Sequence, residues 1–108
     1  MKLNDYQDIA SKTAAYPKEV GLSYVTLGLT GEAGEIANKV KKIYRDNGGV
    51  ITEDIKNSLA KEVGDVLWYV AMLSRELGFS LEDIAQMNID KLSRRYERGS
   101  IQGSGDDR

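Results

Sequence analysis

The sequence predicts an all-α fold, and three observations carry that prediction. Two long stretches repeat apolar residues at threes and fours, Pro17 is the only proline, and strand-like alternation is scarce. The expected architecture is a four-helix bundle-like domain built on a long antiparallel helix hairpin. It covers residues 1–98, and an extended C-terminal tail follows at 99–108.

Each element has its own signal. A first helix is expected from 3 to about 15, where Leu3, Tyr6, Ile9, Ala10 and Ala14 recur at helical spacing. Pro17 suits the approach to a second helix, from about 18 to 46. Its stripe is Leu22, Val25, Leu29, Ala33, Ile36, Val40 and Ile43, and Asn47-Gly48-Gly49 stops it by tolerating left-handed backbone. Thr52 is a suitable N-cap for a third helix, with Glu53 and Asp54 in its first turn. That helix carries Ile55, Leu59, Val63, Val66, Val70, Leu73 and Leu77, and Gly78 ends it. Ser80 and Asp83 resemble a capping box opening a fourth helix to about 98, with Leu81, Ile84, Ala85, Met87 and Leu92 on its apolar face. The remainder, GSIQGSGDDR, has no periodicity and reads as tail.

Composition narrows the chemistry. A chain of 108 residues with 41% hydrophobic content makes one core, and a domain this small often gains from oligomerisation. Zero Cys excludes disulfides, iron–sulfur clusters and thiolate zinc sites. Zero His excludes Ser-His-Asp triads and the Glu-x-x-His ligands of di-iron bundles. A net charge of −2 argues against a general binder of nucleic-acid polymers. No apolar run approaches the roughly 18 residues of a membrane span, and MKLNDYQDIA lacks a signal-peptide core. The expectation is a soluble, cytoplasmic protein whose chemistry runs on carboxylates and a hard metal.

The second helix also holds Gly21, Gly28, Gly31 and Gly34, each costing roughly 1 kcal/mol against Ala. Close helix packing explains them, or something approaches the backbone there.

The sharpest signal is an internal echo. Glu32-Ala33-Gly34-Glu35-Ile36 and Glu62-Val63-Gly64-Asp65-Val66 share one pattern, with acids three residues apart on one helix face. If the long helices pack antiparallel about the Asn47–Gly49 turn, opposed residues have a constant index sum. Glu32 with Asp65 and Glu35 with Glu62 both give 97. Four carboxylates then share one level of the hairpin, partly buried beside the stripe. Such a cluster either raises its pKa values or takes up a cation. An all-oxygen ligand set suits Mg²⁺, Mn²⁺ or Ca²⁺, and helix-borne carboxylates with open coordination suit Mg²⁺ and a phosphate substrate.

Other residues extend this face. Lys39 lies one turn beyond Glu35, where it would form an ion pair within the helix or touch substrate, and Tyr69 lies one turn beyond Asp65. Trp68 is a core or interface residue, or a nucleobase shelf. Asn88, Lys91 and Arg95 share a face of the fourth helix and could carry phosphate oxygens.

Glu-x-x-Glu, a spacer over 36–61 and Glu-x-x-Asp resemble the signature of the MazG-like nucleoside triphosphate pyrophosphohydrolases, an all-α superfamily. The likeness extends through LGLTGEAGEIANKVKK, KEVGDVLWYVAML, the Asn88…Lys91…Arg95 spacing and the tail, from about Tyr6 to the C-terminus. The resemblance implies Mg²⁺-dependent cleavage of an NTP or dNTP to the monophosphate and pyrophosphate. It implies Glu32, Glu35, Glu62 and Asp65 as metal ligands, with Lys91 and Arg95 as phosphate contacts. Glu32 or Glu35 is expected to be the general base. A homo-oligomer, dimer or tetramer, is implied as well. The segment 103–108 either closes over bound phosphates, through its backbone N–H groups and Arg108, or is a plain disordered tail. Rival readings are a phosphoribosyl-ATP or dUTP pyrophosphohydrolase, and a non-catalytic helical module clipped by metal.

Overall fold

A computed structural model describes residues 1–97. Among them are four α-helices, one 3-10 turn and no strand: α1 (Leu3–Ser11), the turn Lys18–Val20, α2 (Gly21–Asn47), α3 (Glu53–Glu76) and α4 (Leu81–Glu97). The all-α class expected from periodicity is what the chain adopts. The expectations for 99–108, including closure of 103–108 over phosphates, lie outside the described residues.

The helix ends follow local chemistry. At the end of α2, Gly48 and Gly49 take φ of 59° and 79°. The Gly49 N–H reaches back to the Ile43 carbonyl at 3.1 Å, and Asn47 Nδ2 donates to the Val50 carbonyl at 2.8 Å. Thr52 Oγ1 accepts from the Ile55 N–H at 3.2 Å, capping α3 as expected. α1 stops four residues short of its expected end. The Ala10 carbonyl, which a longer helix would give to the Ala14 N–H, instead accepts from the Trp68 indole at 3.2 Å and from Thr13 Oγ1 at 2.8 Å.

α2 and α3 lie against each other in one register. Lys39 Nζ donates to Ser58 Oγ at 2.9 Å. The Tyr69 ring covers Gly28, where a Cβ would overlap it, and the Glu76 carboxylate covers Gly21. All three pairs have the index sum of 97 deduced for the carboxylates. Glu76 thereby sets a negative charge over the start of α2, which has no side-chain cap of its own. The other two glycines of α2, Gly31 and Gly34, face open space, so close packing accounts only for Gly21 and Gly28.

The core is small: Ala10, Val25, Ala71, Met72 and Leu81, ringed by Tyr6, Tyr16, Trp68, Tyr69 and Leu73. It sits where α1 and α4 meet the C-terminal half of α3, and α2 touches α3 but neither α1 nor α4. The expected stripes are therefore only partly covered. In α2, Val25 and Ile43 are buried, whereas Leu22, Ala33 and Val40 are exposed. In α3, Val63 and Leu77 are exposed and the other stripe residues are half-buried. Leu3 and Ile9 of α1, and Met87 and Leu92 of α4, are exposed as well. For α2, a single helix neighbour covers only part of a stripe that spans a third of the helix surface, and α1 and α4 cover α3 chiefly at its C-terminal half.

One side chain unites three segments. Gln7 of α1, 8% exposed, donates through Nε2 to the carbonyls of Ala71 (3.1 Å) and Phe79 (3.2 Å). Its Oε1 accepts from the Leu81 N–H at 3.0 Å. Asn4 Oδ1 accepts from the Glu82 N–H, and Ser80 Oγ from the Asp83 N–H. The first three donors of α4 are thus satisfied, two of them by α1 and not by the local cap alone. Gln7→Met keeps the volume but strands the buried groups that Gln7 serves. We expect a loss of about 3 kcal/mol, read as a lower urea midpoint with unchanged helical circular dichroism.

Candidate active site

The antiparallel register brings Glu32 of α2 to Glu62 and Asp65 of α3. One carboxylate oxygen from each lies within 4.8 Å of the others. Glu32 and Glu62 are half-buried and Asp65 is exposed. The fourth acid of the expected quartet, Glu35, is also exposed and stands outside this trio, one turn further along α2. Helix packing drives the three negative charges together. The Glu32 carboxyl is accordingly held above its usual range, first by loss of water and then by the charges of Asp65, Glu62 and Glu35.

Lys39 departs from the intrahelical expectation. It reaches across the hairpin to Glu62 Oε1 at 2.8 Å rather than pairing with Glu35, and the same ammonium holds Ser58. Ser58 and Glu62 are four residues apart on α3, so one lysine spans both.

Beside the trio, Glu32, Asp65, Trp68 and Tyr69 line a cavity of about 340 Å³. Its aromatic wall continues inward. The Trp68 and Tyr69 rings meet edge to face with centroids 4.9 Å apart. Tyr16 meets Trp68 edge to face and stacks on Tyr24 at 5.0 Å. The Trp68 indole N–H is already committed to Ala10 and Thr13, so this residue offers a ring and no free donor. The Tyr69 phenol is pushed up by burial first and then by Tyr24 and the nearby carboxylates. Burial, followed by Asp65, likewise raises the Tyr6 phenol.

The α4 residues lie elsewhere. Asn88 and Lys91 line a different groove, of about 410 Å³, together with Ile84, Met87, Asp90 and Arg94, and Arg95 is buried. Neither residue shares the cavity of the trio. Sequence reasoning missed Tyr16, Tyr24 and Ser58. The index sum of 97 was enough to find Ser58, because it pairs 58 with 39; no comparable arithmetic points to Tyr16, which lies outside both long helices.

A family model described as the MazG nucleotide pyrophosphohydrolase domain matches residues 22–100. The chain is 54% identical over 114 residues to Gene 37 protein of Mycobacterium phage L5, with all of both chains covered. It is 36% identical over 74 residues to the uncharacterized protein YvdC of Bacillus subtilis (strain 168), covering 64% of this chain and 70% of that one. It is 37% identical over 67 residues to YpjD of the same strain, covering 62% and 60%. These names state no activity, and no solved structure matches the chain.

The electrostatics of Glu32 predict a pH dependence. A carboxyl whose folded pKa is raised favours folding while protonated, and this contribution is lost as pH rises through the folded value. Glu32→Gln removes the charge and keeps the shape. In EDTA at neutral pH the variant is expected to melt above the parent, with the difference shrinking as pH falls below the ordinary Glu range. Melting curves of both proteins across that range check it.

Proposed function

The chain belongs to the MazG nucleotide pyrophosphohydrolase family, and from that premise we propose that it cleaves a nucleoside or deoxynucleoside triphosphate to the monophosphate and pyrophosphate. The reading includes Mg²⁺ as cofactor, with Mn²⁺ as a substitute, and a housecleaning role toward the nucleotide pool of the cytoplasm. The observation that carries it is the convergence of Glu32, Glu62 and Asp65 from two helices beside an open cavity. Their donor atoms are all carboxylate oxygens, which suits a hard divalent ion.

In this reading Glu32, Glu62 and Asp65 hold the ion, with Glu35 at the edge of the set. Bound Mg²⁺ would neutralise phosphate charge and polarise the P–O bonds of the α-phosphoryl group. Glu35, exposed and outside the trio, accepts the proton of the attacking water. Tyr69 and the Trp68 ring flank the nucleoside end of the substrate in the 340 Å³ cavity. Asn88 and Lys91 serve the phosphate end, where a cation offsets charge on the leaving pyrophosphate, and Arg95, buried on the same helix, supports them without touching substrate. These residues lie on α4, which packs on α1 and α3 and not on the α2 helix of Glu32.

That separation supports a further part of the proposal, a four-helix bundle-like unit that works as a homo-oligomer, dimer or tetramer. The radius of gyration is 16.8 Å, against about 13 Å for a compact domain of this length. Leu27 and Tyr44 on α2 are each 73% exposed, so much apolar surface is left for a second copy to cover.

Two measurements test the reading. Pyrophosphate release is assayed over the common NTPs and dNTPs, with dUTP and phosphoribosyl-ATP included to separate the narrower substrates. We expect release with Mg²⁺, loss of it in EDTA, and a fall by orders of magnitude in Asp65→Asn. Metal binding without pyrophosphate release from any nucleotide would favour a non-catalytic, metal-clipped helical module. Light scattering at micromolar concentration is expected to give at least twice the 12.0 kDa chain mass, and a stable monomer contradicts the oligomer.

A further inference from the structure

Among the described residues the Lys39 ammonium makes two hydrogen bonds, both with α3. Its ammonium donates to Ser58 Oγ at 2.9 Å and to Glu62 Oε1 at 2.8 Å. Among the described residues it makes no ion pair with Glu32 or Asp65. A cation acting as a stand-in for the metal would sit between the three carboxylates and bridge them. Lys39 instead pairs with one of them, Glu62. It engages a single oxygen of Glu62, and a carboxylate has lone pairs to spare on the other.

The surroundings make this contact effective. The Glu62 side chain is 18% exposed and that of Lys39 37%, so the carboxylate end of the pair is largely shielded from water while the ammonium end is partly screened by it. Ser58 takes a second hydrogen of the ammonium one helical turn from Glu62, which holds the flexible lysine stem in one place. Ligating carboxylates that are themselves hydrogen-bonded keep the orientation a metal needs, and removing such a partner typically costs 10–100-fold in metal affinity.

We propose that Lys39, anchored by Ser58, is a positioning residue that fixes the Glu62 carboxylate for the divalent ion, rather than a phosphate contact or an internal competitor for the metal site. The inference rests on the metal reading under Proposed function and adds to it a residue that touches neither metal nor substrate. Lys39 also ties α2 to α3 close to the trio, so the same contact that orients one ligand keeps the two ligand-bearing helices in register.

The test is Mg²⁺ binding to the metal-free protein by titration calorimetry, alongside melting in EDTA. Lys39→Met is expected to bind Mg²⁺ about 10–100-fold more weakly, Ser58→Ala a few-fold more weakly, and Lys39→Arg to recover most of the affinity. A purely structural role would lower the EDTA melting temperature and leave the affinity of the folded protein unchanged, which overturns the proposal. Tighter binding by Lys39→Met also overturns it, because a competitor would then have been removed. If Lys39→Met does not fold, Ser58→Ala decides, and unaltered affinity in that variant overturns the proposal. Absence of Mg²⁺ and Mn²⁺ binding by the parent protein overturns the metal reading itself, a result separable from a parent that binds and variants that bind equally well.

Discussion

A tyrosine ring lying on a glycine sets the register on which the rest of the site depends. Tyr69 of α3 occupies the space that any side chain at Gly28 of α2 would need. A side chain at that position would overlap the ring, so the glycine is what lets the two helices meet here in this alignment. Glu76 over Gly21 and Lys39 on Ser58 repeat the same alignment toward either end of the helix pair. The mid-helix glycine costs roughly 1 kcal/mol in helix propensity. In return, the acids of two separate motifs face one another to within a few ångströms.

The molecule is held unevenly around this pair. α3 is the common neighbour of the other three helices. At its C-terminal end the buried core, the Gln7 hydrogen bonds and the capping of α4 by α1 concentrate the stabilising contacts. Toward the Gly48 turn the hairpin stands largely alone, with Val40, Tyr44, Val50 and Ile51 exposed. The carboxylate trio lies between these regimes. It is near enough to the core for α3 to be fixed, and open enough for a charged ligand to enter.

The site carries an electrostatic cost in the metal-free fold. Three acids are pressed together by packing that they do nothing to favour, and Glu32 shows the consequence in its raised pKa. Among the described residues, Glu62 is the one member of the trio in an ion pair, with Lys39. Glu32 and Asp65 line the cavity without an ion pair among the described residues, an arrangement that in the proposed reading would draw in a divalent cation. The adjoining wall is aromatic, and the indole N–H of Trp68 is consumed internally. What that wall presents is ring area rather than a free indole donor.

The sequence by itself determined the helical class, the positions of the turns and the pairing of the two acidic motifs. Each of these depends on short-range rules: threes and fours for the stripes, left-handed backbone at Gly48, the Thr52 cap, and constant index sums across a hairpin. The sum of 97 holds for pairs that no motif singles out, such as Gly21 with Glu76. What tertiary structure decided was everything that needs a third element or a side-chain rotamer. The trio without Glu35 is one case, since two acids a single turn apart on one helix are equivalent in sequence and only crossing geometry separates them. The turn of Lys39 toward Glu62 instead of Glu35 is another, because a long side chain chooses among acceptors by where α3 lies. Gln7 and the early end of α1 belong here too. Both follow from partners more than fifty residues away in sequence, Ala71 for Gln7 and Trp68 for the Ala10 carbonyl, and no local pattern encodes such a meeting.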